Sequence, residues 1–460
     1  MMGKDTVKQN QLLYINLDDF IPKNHLLRAI NNKVDFSFIY DKVSHLYSKA
    51  GRRSLDPVML IKMLLLGYLY GIPSERKLEE EVKLNLAYRW FLGLDLGNSV
   101  PDHTTFSQNR RRRFKNSGVF QEIFDHIVSI CVEEGLVTGE VIVTDSTHIK
   151  ANASSSKVEK IIVEKTPSDY VSELEKEAQR LEAELQDKRD AQGKKKCGKK
   201  PRPREGVSLK EEVRSTTDPD AALMKRPGKP GGFHYLGHTS IDTKHGIVTD
   251  IYVTAGNVND SHPYVERLQV QETKYGIKIK KAGADKGYDY ASVHRGLENM
   301  NITSYITPYD RATCYESIGV KHFVYNSNED VYICPEGKTL KFTNIHRGKN
   351  NIYSKVYLAK TKDCKNCTKR TICYKGSSQH RSLERPLFQE TIDGNKARAN
   401  TLEYREVQRL RRIWCEGTFG TLKQQHNLKG TYKRGIENVQ EQCLLSALAI
   451  NLKRMIKVIA

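Results

Sequence analysis

A β-branched apolar run closed by an acid, Val141-Ile142-Val143-Thr144-Asp145, constrains this chain more than any other segment. Such a run suits a strand buried on both faces of a sheet. A second strand, IKKAGA, leads into Asp285 and the turn Lys286-Gly287-Tyr288. Between them, HYLGHTSIDTKHGIVTDIYVTAG reads as two strands around the turn Lys244-His245-Gly246. A helix is predicted from Ser261 to about Glu272, and NITSYITP reads as another short strand. Strands interleaved with helices imply an α/β layer architecture. An acid at the end of a core strand then lies at the edge where open α/β sheets place their ligands.

The 460 residues suffice for about two to four domains at ~100–200 residues each. Against 55 acidic residues stand 75 Lys and Arg, a formal charge of +20, which points to a polyanion such as nucleic acid. Nine cysteines are sparse and odd in number, so a disulfide scaffold is excluded and free thiols or a metal site are expected in a reducing compartment. The longest apolar stretch, Val58 to Ile72, contains Lys62 and falls short of the ~20 residues a bilayer requires. The N-terminal residues carry no apolar signal core, so export is not expected.

Residues 1–135 read as a helical DNA-binding domain. Asp56-Pro57 opens a helix that is apolar almost all round, and TTFSQNRRRRF ends the region with Arg110, Arg111, Arg112 and Arg113 in one block. Four consecutive arginines cannot share one helix face, so some of them meet phosphate or solvent. Residues 136–460 read as the α/β domain, with two interruptions. The first, 154–230, has a short heptad seam (Val171, Leu174, Ala178, Leu181, Leu185) that predicts a helical hairpin, followed by the basic loop KKKCGKKPRPR. The second, 311–395, is irregular and rich in cysteine. From Leu402 onward the chain is helical, with Asn438 predicted as a cap.

Three acids sit where chemistry can use them: Asp145, Asp285, and Glu416 beside Trp414 and Phe419. Carboxylates gathered together repel one another unless cations neutralise them, and Mg²⁺ is the natural hard, oxygen-seeking ion. Asp242, Asp250 and Asp260 compete for the same role. Asp250 reads as an edge position, and Asp260, in GNVNDSHP, as a helix cap. Cys364, Cys367 and Cys373 form C-x2-C-x5-C, and Cys334 is a plausible fourth thiolate for a closed Zn²⁺ site. Cys415 reads as core.

These motifs together resemble the DDE transposases of bacterial insertion sequences. VIVTDSTHIKANAS is similar to their first catalytic block, AGADKGYDY to the second, and RRIWCEGTFGTLK to the third, whose signature is Tyr-x2-Arg-x3-Glu-x6-Lys. Arg412, Glu416 and Lys423 fall in that register, and Arg409 stands at the tyrosine position. The resemblance implies an RNase H-like mixed sheet flanked by helices, with Asp145, Asp285 and Glu416 binding two Mg²⁺ or Mn²⁺ ions. It implies DNA contacts from Arg412, Lys423, Arg110 to Arg113, Lys286 and Tyr288. On α-helical spacing, Arg412 and Lys423 share the face of Glu416, 4 and 7 residues away. The implied activity is metal-dependent cleavage at transposon ends, then transfer of the 3′-OH to target DNA. The implied partners are inverted-repeat ends and target DNA, bound by at least a dimer. The implied place of action is the bacterial cytoplasm at the nucleoid. Two other readings remain open: a DNA-binding repressor that no longer cuts, and a metal-dependent nuclease without strand transfer.

Overall fold

The computed structural model describes residues 16–48, 54–115, 117–165, 169–193, 208–224, 231–309, 318–348, 353–373 and 378–459. Helices dominate up to residue 133. Asp56 starts Pro57–Leu69 by accepting from the amides of Val58 (2.7 Å) and Met59 (3.3 Å). That helix buries Leu60, Ile61, Leu65, Leu66 and Leu69, as its all-round apolar sequence requires. Ser74, Asn85 and Asp102 cap the helices that follow it.

The central sheet begins with β1 (Val141–Lys150). Next in the chain come β2 (Val158–Lys165), β3 (Ser208–Ser215), β4 (Ala222–Met224), β5 (Gly232–Asp242), β6 (Val248–Ala255), β7 (Lys281–Ala284) and β8 (Thr303–Ile306). Its core order is β6-β5-β1-β7-β8. β5 runs antiparallel to β1 and β6, whereas β1, β7 and β8 are parallel. This is the strand order of an RNase H-like sheet. The predicted turn at Lys244-His245-Gly246 joins β5 to β6. The helix predicted from Ser261 begins at Tyr264 and ends at Tyr275.

The C-terminal helix Ile436–Ile459 ties the molecule together. It packs on β6 and on the helices Leu26–Lys33, Pro57–Leu69 and Val119–Glu133. Strand edges leave unpaired backbone groups, and this helix supplies partners for the outer edge of β6. Asn451 receives the Val248 amide and donates to its carbonyl, both at 2.8 Å. Gln440 receives the Val253 amide and donates to Ile251. One contiguous apolar core therefore runs from Leu27 to Ile456, and the change of pattern near residue 135 does not divide it. Asn438 lies inside the helix, donating to Arg434, and is not its cap.

Both interruptions are more regular than expected. In the first, β2 pairs with β3, and among the described residues the helix Asp169–Asp190 lies between them in the chain, so a strand pair flanks the segment expected as a helical hairpin. The second holds a five-stranded antiparallel sheet: β9 (Val324–Asn326), β10 (Val331–Ile333), β11 (Thr339–Arg347), β12 (Tyr353–Ala359) and β13 (Ser382–Pro386). The apolar seam finds its partner there, because Ala178 and Leu181 pack against Ile345, Tyr353 and Leu387. Arg347 reinforces the contact by bridging Glu175 and Glu182. The basic loop and the side chains of Val171 and Leu174 lie outside the described residues.

Candidate active site at the end of the parallel strand pair

Register sets the site. Val141, Ile142 and Val143 of β1 stand opposite Lys281, Ala282 and Gly283 of β7. Continuing that register by two residues places Asp145 level with Asp285 on neighbouring strands, ~4.8 Å apart in backbone spacing. Side chains alternate along a strand, so both carboxylates share a face with Val143 and Gly283. That face is covered by the helix Leu402–Arg411. A Cβ on Gly283 would lie 2.7 Å from Val407, so the missing side chain is what lets the helix settle so closely. β7 ends at Ala284 while β1 continues, which leaves the two acids at the open end of the pair.

The helix grips this end of the sheet. Gln408 donates to the carbonyls of Ala284 (3.1 Å) and Tyr305, and accepts from Arg411 (3.1 Å). Arg411 in turn donates to Asp145 at 2.8 Å. Burial pushes the Asp145 carboxyl up to about 6; the Ser146 amide and Arg411 hold it back, while Asp285 and Asp260 push the same way as burial.

Asp260 is therefore part of the group. Its Oδ1 accepts from the Ser146 hydroxyl at 2.7 Å. The helix after it starts at Tyr264, with no side-chain cap, so the capping role expected of Asp260 is not the one it fills. Asp285 accepts from the Gly287 amide at 2.8 Å. A Cβ on Gly287 would sit 2.9 Å from Asp285 Oδ1 and 3.7 Å from Asp260 Oδ2, so glycine keeps the space between these carboxylates open. Hard oxygen donors around an open space fit a divalent cation.

Glu416 arrives by a different route. Residues Arg412–Glu416 form a π-helical turn, where i→i+5 bonding brings residues five apart closer to one face than an α-helix does. Arg411, five residues before Glu416, is the arginine that bonds Asp145, whereas Arg412, which α-helical spacing puts on the face of Glu416, is exposed. Between Asp145 and Glu416 lies Cys415, fully buried as expected; burial raises its thiol far above the usual range, and the charges of Asp145 and Glu416 add to this. The Trp414 ring anchors the turn against Gly246, and Arg454 binds the Gly246 carbonyl and Thr418. Glu416 itself is exposed. Among the described residues, only Glu79, Asp102 and His103 bring three possible metal ligands within 4.8 Å of one another. The three acids singled out in the sequence are therefore not closed into one ligand set here. Like charges resist closer approach, and Arg411 already neutralises Asp145.

Two family models match the chain: a transposase domain (DUF772) over residues 15–112 and a transposase DDE domain over residues 333–456. The chain thus carries two transposase domains, the second of them a DDE domain. No curated protein matches it. Among solved structures, it is similar to the Mos1 mariner paired-end complex with Mn at 11% identity and a TM-score of 0.17, over 59% of this chain and 65% of that one. It is also similar to the piggyBac transposase synaptic complex with hairpin DNA at 8% identity and a TM-score of 0.27, over 95% of this chain and 81% of that one. The chain thus spans less than two thirds of the Mos1 chain, and the fold assignment rests on strand order.

Several residues expected to touch DNA in this transposase have internal tasks. Arg110 is paired with Glu75 (2.6 Å) and Glu441 (2.9 Å), joining the helical region to the C-terminal helix. Arg113 stacks over Tyr47 and bonds Asn109. Tyr288 is 1% exposed, with its ring edge-on to Tyr264 at 4.8 Å, so it is core and not a DNA contact. Arg111, Arg112 and Lys286 are exposed, and Lys423 is half-buried. Asp250, expected at an edge, is buried in a bidentate pair with Arg267. Asp242 organises a turn by accepting from Thr138, Gly139 and Lys244.

The cysteines gather without closing. Cys334 follows β10, and its sulfur accepts from the Lys338 amide at 3.4 Å. Burial raises the Cys373 thiol; Arg381 offsets part of this, and the nearby Cys364, Cys367 and Cys334 raise it further. No three of these sulfurs fall within 4.8 Å of one another. The compact set Glu79, Asp102 and His103 is accounted for internally. Lys83 and His103 bond Glu79 and hold its carboxyl down at about 2, and Asp102 caps a helix.

The raised Asp145 carboxyl gives a signed pH dependence. Its folded pKa near 6 exceeds the usual 3.8, so folding favours the protonated form. That contribution is complete below pH 3.8 and is lost as pH rises through 6. Asp145→Asn is expected to match the wild type at pH 4 and to exceed it by about 2–3 kcal/mol at pH 7.5 in urea unfolding. Equal stability at both pH values would contradict the burial argument.

Proposed function

We propose that this transposase cuts DNA at transposon ends and joins the freed 3′-OH groups to target DNA, using two divalent cations held by Asp145, Asp285 and Glu416. The observation that carries the reading is the level placement of Asp145 and Asp285 on parallel neighbours, under the helix that carries Glu416. Bound Mg²⁺ or Mn²⁺ would supply Lewis acidity toward a phosphate and lower the pKa of water.

The chain's own part is positioning and charge control. Asp145 and Asp285 offer oxygen ligands, Gln408 fixes the strand end beneath Asp285, and Arg411 fixes Asp145. Glu416, on the turn that continues the same helix, would supply the third carboxylate. Lys286, Arg412, Lys423, Arg111 and Arg112 are assigned to phosphates along the duplex. In the first reaction a water oxygen bonds to phosphorus and the P–O3′ bond breaks, leaving a 3′-OH and a 5′-phosphate. In the second, that hydroxyl attacks a target phosphodiester and displaces its 3′ oxygen. Joining two ends requires at least two copies of the chain on DNA. DNA as substrate places the work at the nucleoid in the cytoplasm. No helix among the described residues is long and apolar enough to cross a membrane.

The test is Mg²⁺-dependent nicking of a duplex taken from the flanks of the reading frame. Asp145→Asn and Asp285→Asn are each expected to lower nicking at least a thousandfold while end binding stays within about threefold. Undiminished nicking by either variant would remove that residue from the site. Binding without nicking by the wild type would favour a repressor, and nicking without joined products a nuclease.

Cys334, Cys364, Cys367 and Cys373 are further proposed to take one structural Zn²⁺, since four thiolates suit a closed tetrahedral site. Elemental analysis is expected to give one zinc per chain, lost in the Cys364→Ser/Cys367→Ser double variant. A zinc-free wild type purified without chelator would refute it.

A further inference from the structure

The loop between the helix Gly417–Gln425 and the C-terminal helix holds a tyrosine out in solvent. Tyr432 is 85% exposed. Its surroundings are fixed. Thr431 donates its amide to the Lys150 carbonyl at 3.0 Å, and Asn152 donates its side-chain amide to the Tyr432 carbonyl at 2.7 Å. Gln442 holds Gly430, and Asp218 receives the Gly435 amide. On either side of Tyr432, Thr431 is buried and Lys433 is half-buried, paired with Glu441 at 2.9 Å. A single exposed ring is ordinary on a protein surface, so what marks this one is the fixed backbone that presents it and the charges beside it.

The neighbouring charges say what covers it. Lys150, whose carbonyl accepts from Thr431, and Lys429 and Arg434, three residues before and two after Tyr432, are all exposed. Arg434 is steadied by donating to the Asn152 carbonyl at 3.2 Å. Aromatic rings interleaved with cations are the combination that stacks on bases while holding the phosphates beside them. The loop is also tied to the strand that carries Asp145. Lys150 lies five residues farther along β1, about 17 Å away at ~3.3 Å per residue.

We propose that Tyr432 stacks on an unstacked base of the bound DNA about five base pairs from the reacting phosphate, with Lys150, Lys429 and Arg434 on the flanking phosphates. This rests on the DNA-directed reading above and adds a distortion of the duplex that this loop would stabilise. A base already unpaired is less costly to take out of the stack, so the loop should favour a mismatched duplex over a paired one.

The test uses the full chain and two fluorescein-labelled duplexes of about 30 base pairs, one fully paired and one with a short central mismatch bubble. Fluorescence anisotropy is expected to show the wild type binding the bubbled duplex more tightly. Tyr432→Ala should lose about tenfold or more on the bubble and much less on the paired duplex. Tyr432→Trp and Tyr432→Phe should keep most of the affinity, because the ring does the stacking. Lys150→Gln should weaken both duplexes alike and lower the salt slope by about one. The melting temperature of Tyr432→Ala should match the wild type.

Equal binding by Tyr432→Ala and the wild type overturns the proposal. So does a Phe variant as weak as the Ala variant, which would make the hydroxyl, not the ring, the contact. A DNA-free wild type that self-associates in sedimentation, and loses this on Tyr432→Ala, overturns it in favour of a second copy. If the wild type binds neither duplex at low salt, the DNA-directed reading falls with it. If it binds and nicks while the tyrosine proves indifferent, only this proposal falls.

Discussion

The burial of Asp145 beside Asp260 and Asp285 is the constraint around which the candidate catalytic face is arranged. A mixed sheet with parallel β1 and β7 in this register has no choice about bringing the first and last of these together. Placing negative charges side by side away from water is costly, and the raised Asp145 carboxyl records that cost. The chain answers with a single helix. Arg411 supplies the counter-charge, Gln408 locks the strand ends, and Gly283 removes the side chain that would keep the helix away. The same helix runs into the π-turn with Glu416, so the group that balances the first carboxylate and the third acid sit on one continuous helix.

That helix needs a firm base, and the C-terminal helix provides it. Asn451 and Gln440 satisfy the open edge of β6, Arg454 steadies the turn on which Trp414 rests, and Glu441 receives Arg110 from the helical region. One core then serves the N-terminal helices and the sheet. The helical region is thereby positioned relative to the candidate site by the Arg110–Glu441 ion pair and apolar packing.

The sequence made some of this legible. The β-branched apolar run before Asp145 announces a buried strand, because a strand covered on both faces suits such a pattern, and the shorter strand before Asp285 is marked by the turn that follows it. Glu416 was legible only through its resemblance to a family signature. The role of Asp260 was hidden, since an acid before a helix looks like a cap and only the Ser146 hydroxyl across the fold reveals otherwise. Arg411 was hidden because it pairs with Asp145 from 266 residues away, a contact that only the fold creates. Arg110 and Tyr288 misled because charge and aromaticity suit both a DNA surface and an interior, and only burial separates the two. The cysteine-bearing interruption looked irregular because its strands are short and its apolar residues serve a small separate core around Tyr357.

Whether Asp145, Asp285 and Glu416 share one cation site can be read from where a redox-active ion cuts the polypeptide. Fe²⁺ in place of Mg²⁺, with ascorbate and peroxide, generates hydroxyl radicals that break the chain within a few ångströms of the bound ion. On the DNA-bound transposase, the expected fragments end near residues 145, 285 and 416, and excess Mg²⁺ suppresses all three together. Cuts near 145 and 285 accompanied by 260, with the chain around 416 intact, would show that Asp260 and not Glu416 is the third ligand and would contradict the assignment.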